Sequence, residues 1–174
     1  MEHTLSGRLS KIGIFSRALE EPGALELILG LLKPRKYDPG AVILSEGEEG
    51  EEFYLLHRGR VRILKRTAIG DMYTVMLLDE GSNAFFGEAG LLESERRGAT
   101  VIAETEVECF VMRRDDFISL GDAHPEIGLY ITREIAKIIL GRMRNVTKDL
   151  VTLFTALVAE VEGESGLGQG RVAP

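Results

Sequence analysis

The run Phe53-Tyr54-Leu55-Leu56-His57-Arg58-Gly59-Arg60-Val61-Arg62-Ile63-Leu64 sets the architecture. β-rich residues lie on both sides of one glycine. After Gly59 the chain alternates. Val61 and Ile63 are positioned to face a core, while Arg60 and Arg62 face water, the period-2 pattern of a half-buried strand. Turn residues recur on either side of this run, at Pro39-Gly40, Gly47, Gly50, Gly70-Asp71, Gly81 and Gly87. Between them lie the short runs Ala41–Leu44, Met72–Leu78, Thr100–Ile102 and Val107–Met112. Several short strands at such spacing predict a barrel or roll. The arginine row reads as the solvated face of a sheet rather than an anion site.

The flanks are helical. Residues 1–35 form a helical segment, in which Ile12, Ile14, Phe15 and Leu19 make one apolar cluster and Leu25 to Leu32 another. Pro22-Gly23 separates the two clusters, and Pro34 closes the second. The β-roll is expected over residues 36–114. Residues 115–162 return to helix, with Pro125 suited to a first helical position. Ala136, Ile139, Met143, Val146, Leu150, Leu153 and Leu157 then step by three and four, as in an a/d seam. A helix from Pro125 to Glu162 is about 55 Å long at 1.5 Å per residue. It should overhang its own domain and pair with a second copy, giving a homodimer through residues 125–162. The glycine-rich tail, residues 163–174, is expected to be disordered.

Composition narrows the function. The chain has 174 residues, with 21 Lys+Arg against 28 Asp+Glu and a net charge of −7, which disfavours a general nucleic-acid binder. Its single cysteine, Cys109, rules out a disulfide framework within one chain and suits the cytoplasm. The start Met1-Glu2-His3-Thr4 has no signal-peptide pattern, and no apolar run reaches a membrane span. Three scattered histidines offer no zinc site, and no nucleophile–base–orienter set points to an enzyme. The acids of Glu46–Glu52 lack the order of a calcium loop and read as a solvated turn.

The stretch that carries chemistry is Phe86-Gly87-Glu88-Ala89-Gly90-Leu91-Leu92-Glu93-Ser94-Glu95-Arg96-Arg97-Gly98-Ala99-Thr100-Val101. A glycine ends a strand-like run and opens a stretch able to form one helical turn, whose free amides suit an anion. Ala89 and Gly90 allow close approach to the backbone. Arg97 can grip two phosphate oxygens without risk to its charge. Glu88 beside an anion makes sense where it accepts from hydroxyls. A phosphate and a sugar hydroxyl together describe a nucleotide.

This stretch resembles the phosphate-binding cassette, here residues 86–101, of the cyclic nucleotide-binding domain family. That family includes catabolite activator proteins and other Crp/Fnr-like effector domains. Phe86-Gly87-Glu88, Leu91, Arg97, Gly98, Ala99 and Thr100 carry the resemblance, with Pro39-Gly40, Glu46–Leu56, Gly59-Arg60-Val61 and His124–Ile127. It implies a mainly β fold with flanking helices, a double-stranded, jelly-roll-like β-helix followed by a long C-terminal helix. It also implies that Arg97 pairs with the phosphate, that amides of Gly87, Glu88, Ala89, Gly90 and Ala99 cradle it, and that Glu88 accepts the ribose 2′-hydroxyl. Ile63, Val75 and Phe86 stand at apolar ligand contacts, and Leu91 at the hinge to the long helix. Gly98, where cyclic-GMP-preferring members often carry Thr or Ser, favours cyclic AMP over cyclic GMP; cyclic di-GMP, also bound on this fold, is a further, less favoured ligand. A base-capping residue is expected near Arg142–Thr147. The sequence departs from the family in a Gly81–Gly87 loop two residues longer than usual and in Ala89, where a larger apolar residue is commoner.

The implied function is a non-enzymatic cyclic-nucleotide sensor acting on an unknown downstream protein, without cofactor, DNA or membrane contact of its own. The alternatives are the effector fragment of a Crp/Fnr-type transcription regulator and a ligand-free dimerisation or scaffold module.

Overall fold

The structure is a computed structural model that describes residue 7 and residues 9–82, 84–92 and 96–166. Among these residues, eight strands form two four-stranded antiparallel sheets, ordered β1-β8-β3-β6 and β2-β7-β4-β5. Their spans are β1 Lys33–Tyr37, β2 Val42–Leu44, β3 Glu52–Arg58, β4 Arg60–Arg66, β5 Met72–Asp79, β6 Phe85–Phe86, β7 Thr100–Ala103 and β8 Val107–Arg113. This is the expected mainly β roll with flanking helices.

Gly59 passes the chain from one sheet to the other. It takes a φ of 89°, and a Cβ there would collide with the Glu106 carbonyl, so glycine is required on both counts. The alternation read after it places Val61 fully inside. Arg60 is exposed, and Arg62 is half-buried and paired with Glu104 at 3.0 Å. Both sheets feed one core, with Tyr54, Leu56, Phe86, Cys109 and Val111 from one and Val61, Val101 and Ala103 from the other. Burying each large side chain contributes about 1.5–3 kcal/mol.

Between residues 13 and 31, three helical pieces precede the roll in sequence. They are α1 Gly13–Ser16, a 3₁₀ turn Ala18–Glu20, and α2 Ala24–Leu31. Phe15 of α1 meets Phe53 of β3 edge-on, with ring centroids 6.1 Å apart. The helical segment stops at Leu31 rather than reaching residue 35, and Pro34 lies inside β1 instead of ending a helix. β1 is an edge strand of its sheet, where the missing proline N–H costs least.

After β6 a single turn, α3 Ala89–Leu92, precedes β7. After β8 come α4 Arg114–Ala123 and α5 Pro125–Gly166, the latter starting at the expected proline. Leu91 of α3 is buried, and α3 packs on β3 and α4. Ile127, Ile131 and Ile135 are buried at a spacing of four, one face of the first turns of α5.

The chain divides into two units, residues 1–135 and 136–174. The second contains the remainder of α5, which continues to Gly166 rather than ending at Glu162. The expected tail is therefore helical over residues 163–166, while residues 167–174 lie outside the described residues. No helix among the described residues is long and apolar enough to cross a membrane.

Candidate functional site

Glu88 and Arg97 are the buried charged side chains among the described residues, at 6% and 9% exposure. Both belong to the segment between β6 and β7. Placing a guanidinium in a protein interior costs several kcal/mol unless an anion and hydrogen bonds offset it. Arg97 Nη2 donates to the Glu52 carbonyl at 2.8 Å, and Nη1 to the Gly87 carbonyl at 3.4 Å. Its Nε is buried and has no partner among the described residues. Burial pulls the Arg97 pKa below the ordinary arginine value, and the fields of Tyr54 and Glu52 oppose that shift. The group still keeps its charge at any physiological pH.

Three glycines make the space for this side chain. A Cβ on Gly50 would lie 2.6 Å from Arg97 Cζ, and one on Gly90 would lie 2.7 Å from Nη1. One on Gly87 would lie 3.1 Å from Nη1 and 2.8 Å from the Glu52 carbonyl oxygen. Gly87 also has a φ of 75°, the left-handed region that starts the cassette turn. The structure thus brings Gly87, Gly90 and Arg97 together, with the buried Glu88 next to Gly87 in the chain.

The Glu52 carboxylate reaches Arg97 through its field and takes its hydrogen bonds elsewhere. It takes a two-pronged ion pair from Arg35 on β1, one prong at 2.8 Å, and a hydrogen bond from the Tyr54 hydroxyl at 2.6 Å. Burial opposes the charge on Glu52, but Arg35 and Tyr54 outweigh it and hold its carboxyl below the usual range. The Tyr54 ring stacks on Phe86, with centroids 5.0 Å apart and planes 5° apart. One β3 residue therefore holds Arg97 through its backbone and Arg35 through its side chain.

The other expected contacts sit in varied surroundings. Phe86 is only 4% exposed and stacked on Tyr54, so it supports the cassette from within the core. Val75 is half exposed on the edge strand β5, and a register shift in the β4–β5 pairing leaves it opposite no residue of β4. Ile63 is partly buried against the core. The Gly90 amide bonds to the Gly87 carbonyl at 3.0 Å, so it is taken up inside the turn. Ala89 and Gly98 are exposed, and Ala99 is half-buried. Arg142 and Thr147 fall in the second unit, where the Thr147 hydroxyl donates to the Met143 carbonyl at 2.9 Å.

The acidic segment is more than a solvated turn. The Gly47 amide bonds to the Arg97 carbonyl and the Arg97 amide to the Glu48 carbonyl, both at 2.8 Å. Glu49 bridges Arg96, and the Glu46 amide reaches Thr100 Oγ1 at 3.0 Å. Residues 46–52 are therefore the seat on which the arginine end of the cassette rests. Sequence reasoning misses Gly50, Glu52 and Tyr54 as parts of this site. The one local signal is a glycine set among acids.

Residues 34–124 match the family described as the cyclic nucleotide-binding domain. The chain belongs to that family. It is 32% identical over 127 residues to human cGMP-dependent protein kinase 2, covering 72% of this chain and 15% of the kinase. It is 29% identical over 148 residues to a CRP-like cAMP-activated global transcriptional regulator of Mycobacterium tuberculosis, covering 84% of this chain and 62% of the regulator. Among solved structures, Thermus thermophilus catabolite activator protein is similar with a TM-score of 0.67 and 27% identity, over 76% of this chain and 60% of that one. The chain thus spans less than two thirds of these relatives. It is a cyclic nucleotide-binding regulatory domain of the Crp type.

Proposed function

We propose that this domain is a cytoplasmic cyclic AMP sensor that signals through its long C-terminal helix and pairs with a second copy along that helix. One observation carries the reading. Arg97 is a buried cation whose Nε is unpartnered among the described residues, in a space walled by Gly50, Gly87 and Gly90. A cyclic phosphate supplies the missing anion, and a guanidinium binds two of its oxygens side by side. Glu88, buried one residue after Gly87, is the acceptor for the ribose hydroxyl, as carboxylates are acceptor-only when ionised. Gly98 brings no hydroxyl next to Arg97, which favours cyclic AMP over cyclic GMP.

Signalling follows from packing. Leu91 is buried in the cassette turn α3, which packs on α4. One residue, His124, separates the end of α4 from the start of α5. Closing the cassette on a phosphate moves Leu91, and α4 with it. The shift in any downstream equilibrium can be no larger than the ligand's differential affinity for the two arrangements.

A second reading, the effector part of a Crp-type transcription regulator, is favoured by the match to the mycobacterial regulator over 84% of this chain. The two readings share the ligand and differ in what the helix drives.

Thermal denaturation with each of the three nucleotides tests the sensor reading. Ligand at 100 times its dissociation constant adds about 2.7 kcal/mol. The midpoint should rise most with cyclic AMP. No rise with any of the three would leave only a scaffold module.

A further inference from the structure

Tyr54 reaches both ends of the cassette. Its ring stacks on Phe86, the first cassette residue, with centroids 5.0 Å apart and planes 5° apart. The two residues are directly opposite each other in the β3–β6 pairing. β6 has only two residues, so this is one of the two cross-strand pairs that hold it on β3. The ring also lies against the cassette turn, since a Cβ on Gly87 would sit 3.4 Å from Tyr54 Cδ2.

The hydroxyl reaches the other end through Glu52. It donates to Glu52 Oε2 at 2.6 Å, the same oxygen that takes one prong of Arg35 at 2.8 Å. Burial, and then this bond, push the Tyr54 pKa above the ordinary tyrosine value, so the hydroxyl is a donor at neutral pH. Arg35 and Tyr54 together pin the Glu52 side chain, and its carbonyl is left for the cassette. That carbonyl oxygen accepts from Arg97 Nη2 at 2.8 Å. It would lie 2.8 Å from a Cβ on Gly87 and 3.3 Å from one on Gly90. One backbone oxygen therefore sets where the guanidinium and both glycines of the turn meet.

A core position that needs only a ring is served by phenylalanine, as at Phe86 across the pair. Tyr54 is 3% exposed, so its hydroxyl must have a partner, and the partner here is the residue that orients Arg97. A guanidinium binds two phosphate oxygens side by side only where its plane is held. We propose that Tyr54 is a positioning residue for nucleotide binding. Its ring holds the Phe86–Gly87 end of the cassette, and its hydroxyl, through Glu52, holds the Arg97 guanidinium in the plane that meets the phosphate. The inference rests on the phosphate-binding role proposed above for Arg97.

A double-mutant cycle of Tyr54→Phe and Arg97→Ala tests it, read by calorimetric titration of cyclic AMP into the intact chain. Tyr54→Phe keeps the ring and removes only the hydroxyl. It should weaken binding by about threefold to tenfold, the contribution of a single hydrogen bond. In the Arg97→Ala background the same change should have no effect, because the link it breaks ends on Arg97. A loss of equal size in both backgrounds would overturn the assignment, since the hydroxyl would then act on the fold as a whole. Unchanged affinity of Tyr54→Phe, with weak binding by Arg97→Ala, would also overturn it and leave Arg97 in the site. Unchanged affinity of Arg97→Ala would sink the phosphate reading and this inference with it. Tyr54→Leu removes the stack as well and should bind more weakly than Tyr54→Phe. Equal affinity of those two variants would contradict the part assigned to the ring.

Discussion

Arg97 Nη2 donates to the backbone carbonyl of Glu52 at 2.8 Å, joining the end of the cassette to the first residue of β3, 45 positions earlier. The contact exists because Gly50, two residues before Glu52, has no side chain. Gly50→Ala would put a methyl 2.6 Å from Arg97 Cζ, inside any real contact distance. The guanidinium must shift. Nucleotide affinity should fall on the order of tenfold, or about 1.4 kcal/mol. Gly30→Ala, where a Cβ meets nothing within 4 Å, should leave affinity unchanged in the same titration.

The Glu52 carboxylate gives the fold an acid-side sensitivity. Its pKa is held below the unfolded value of about 4.3, so its contribution is complete above that pH and is lost as pH falls through the folded value. Arg35 is 44% exposed, so water screens the pair and its contribution is about 1 kcal/mol or less. Denaturation near neutral pH should find Glu52→Gln less stable than the parent chain. Below the folded pKa of Glu52 the two stabilities should converge. A gap that persists there would mean the carboxylate charge is not what matters.

Gly98 offers a specificity switch. It is exposed, and a Cβ there meets nothing within 4 Å, so a hydroxyl-bearing side chain fits without repacking. Gly98→Thr should improve binding of cyclic GMP relative to cyclic AMP. One neutral hydrogen bond contributes about 0.5–1.5 kcal/mol, a few-fold to tenfold change in the ratio. Competition of the two nucleotides on parent and variant reads it directly.

Cys109 should report unfolding. It is 1% exposed in the core, and burial pushes its thiol pKa up to about 12. The thiol is therefore protonated and unreachable in the folded state at neutral pH. A thiol reagent should label it only at the rate of opening, and saturating nucleotide should slow that labelling. Fast labelling of the native chain would show that the core around β8 opens locally.

Some elements are legible in the sequence and others are hidden, for physical reasons. The runs that form β2, β4, β5, β7 and β8 are rich in β-branched and other apolar residues between turn signals, so local pattern suffices. β1, Lys-Pro-Arg-Lys-Tyr, has almost no strand propensity. It is held by pairing with β8, a contact no local window contains. β6 has two residues, too few for any period to emerge. The cassette residues can be named from their spacing. The wall opposite Arg97 cannot, because Gly50 and Glu52 meet it through backbone atoms, which all residue types share. The surroundings of Val75 are hidden by one register shift, which no alternation pattern announces.

The central claim is that the Arg97 guanidinium binds the cyclic phosphate. Calorimetric titration of cyclic AMP into the intact chain and into Arg97→Ala tests it most directly. Charge-assisted hydrogen bonds contribute about 1.5–3 kcal/mol each, so losing two should weaken binding by about 100-fold or more. Arg97→Lys should recover only part of the loss, because an ammonium cannot present two parallel donors. Equal affinity for the parent chain and Arg97→Ala would contradict the account and remove Arg97 from the site.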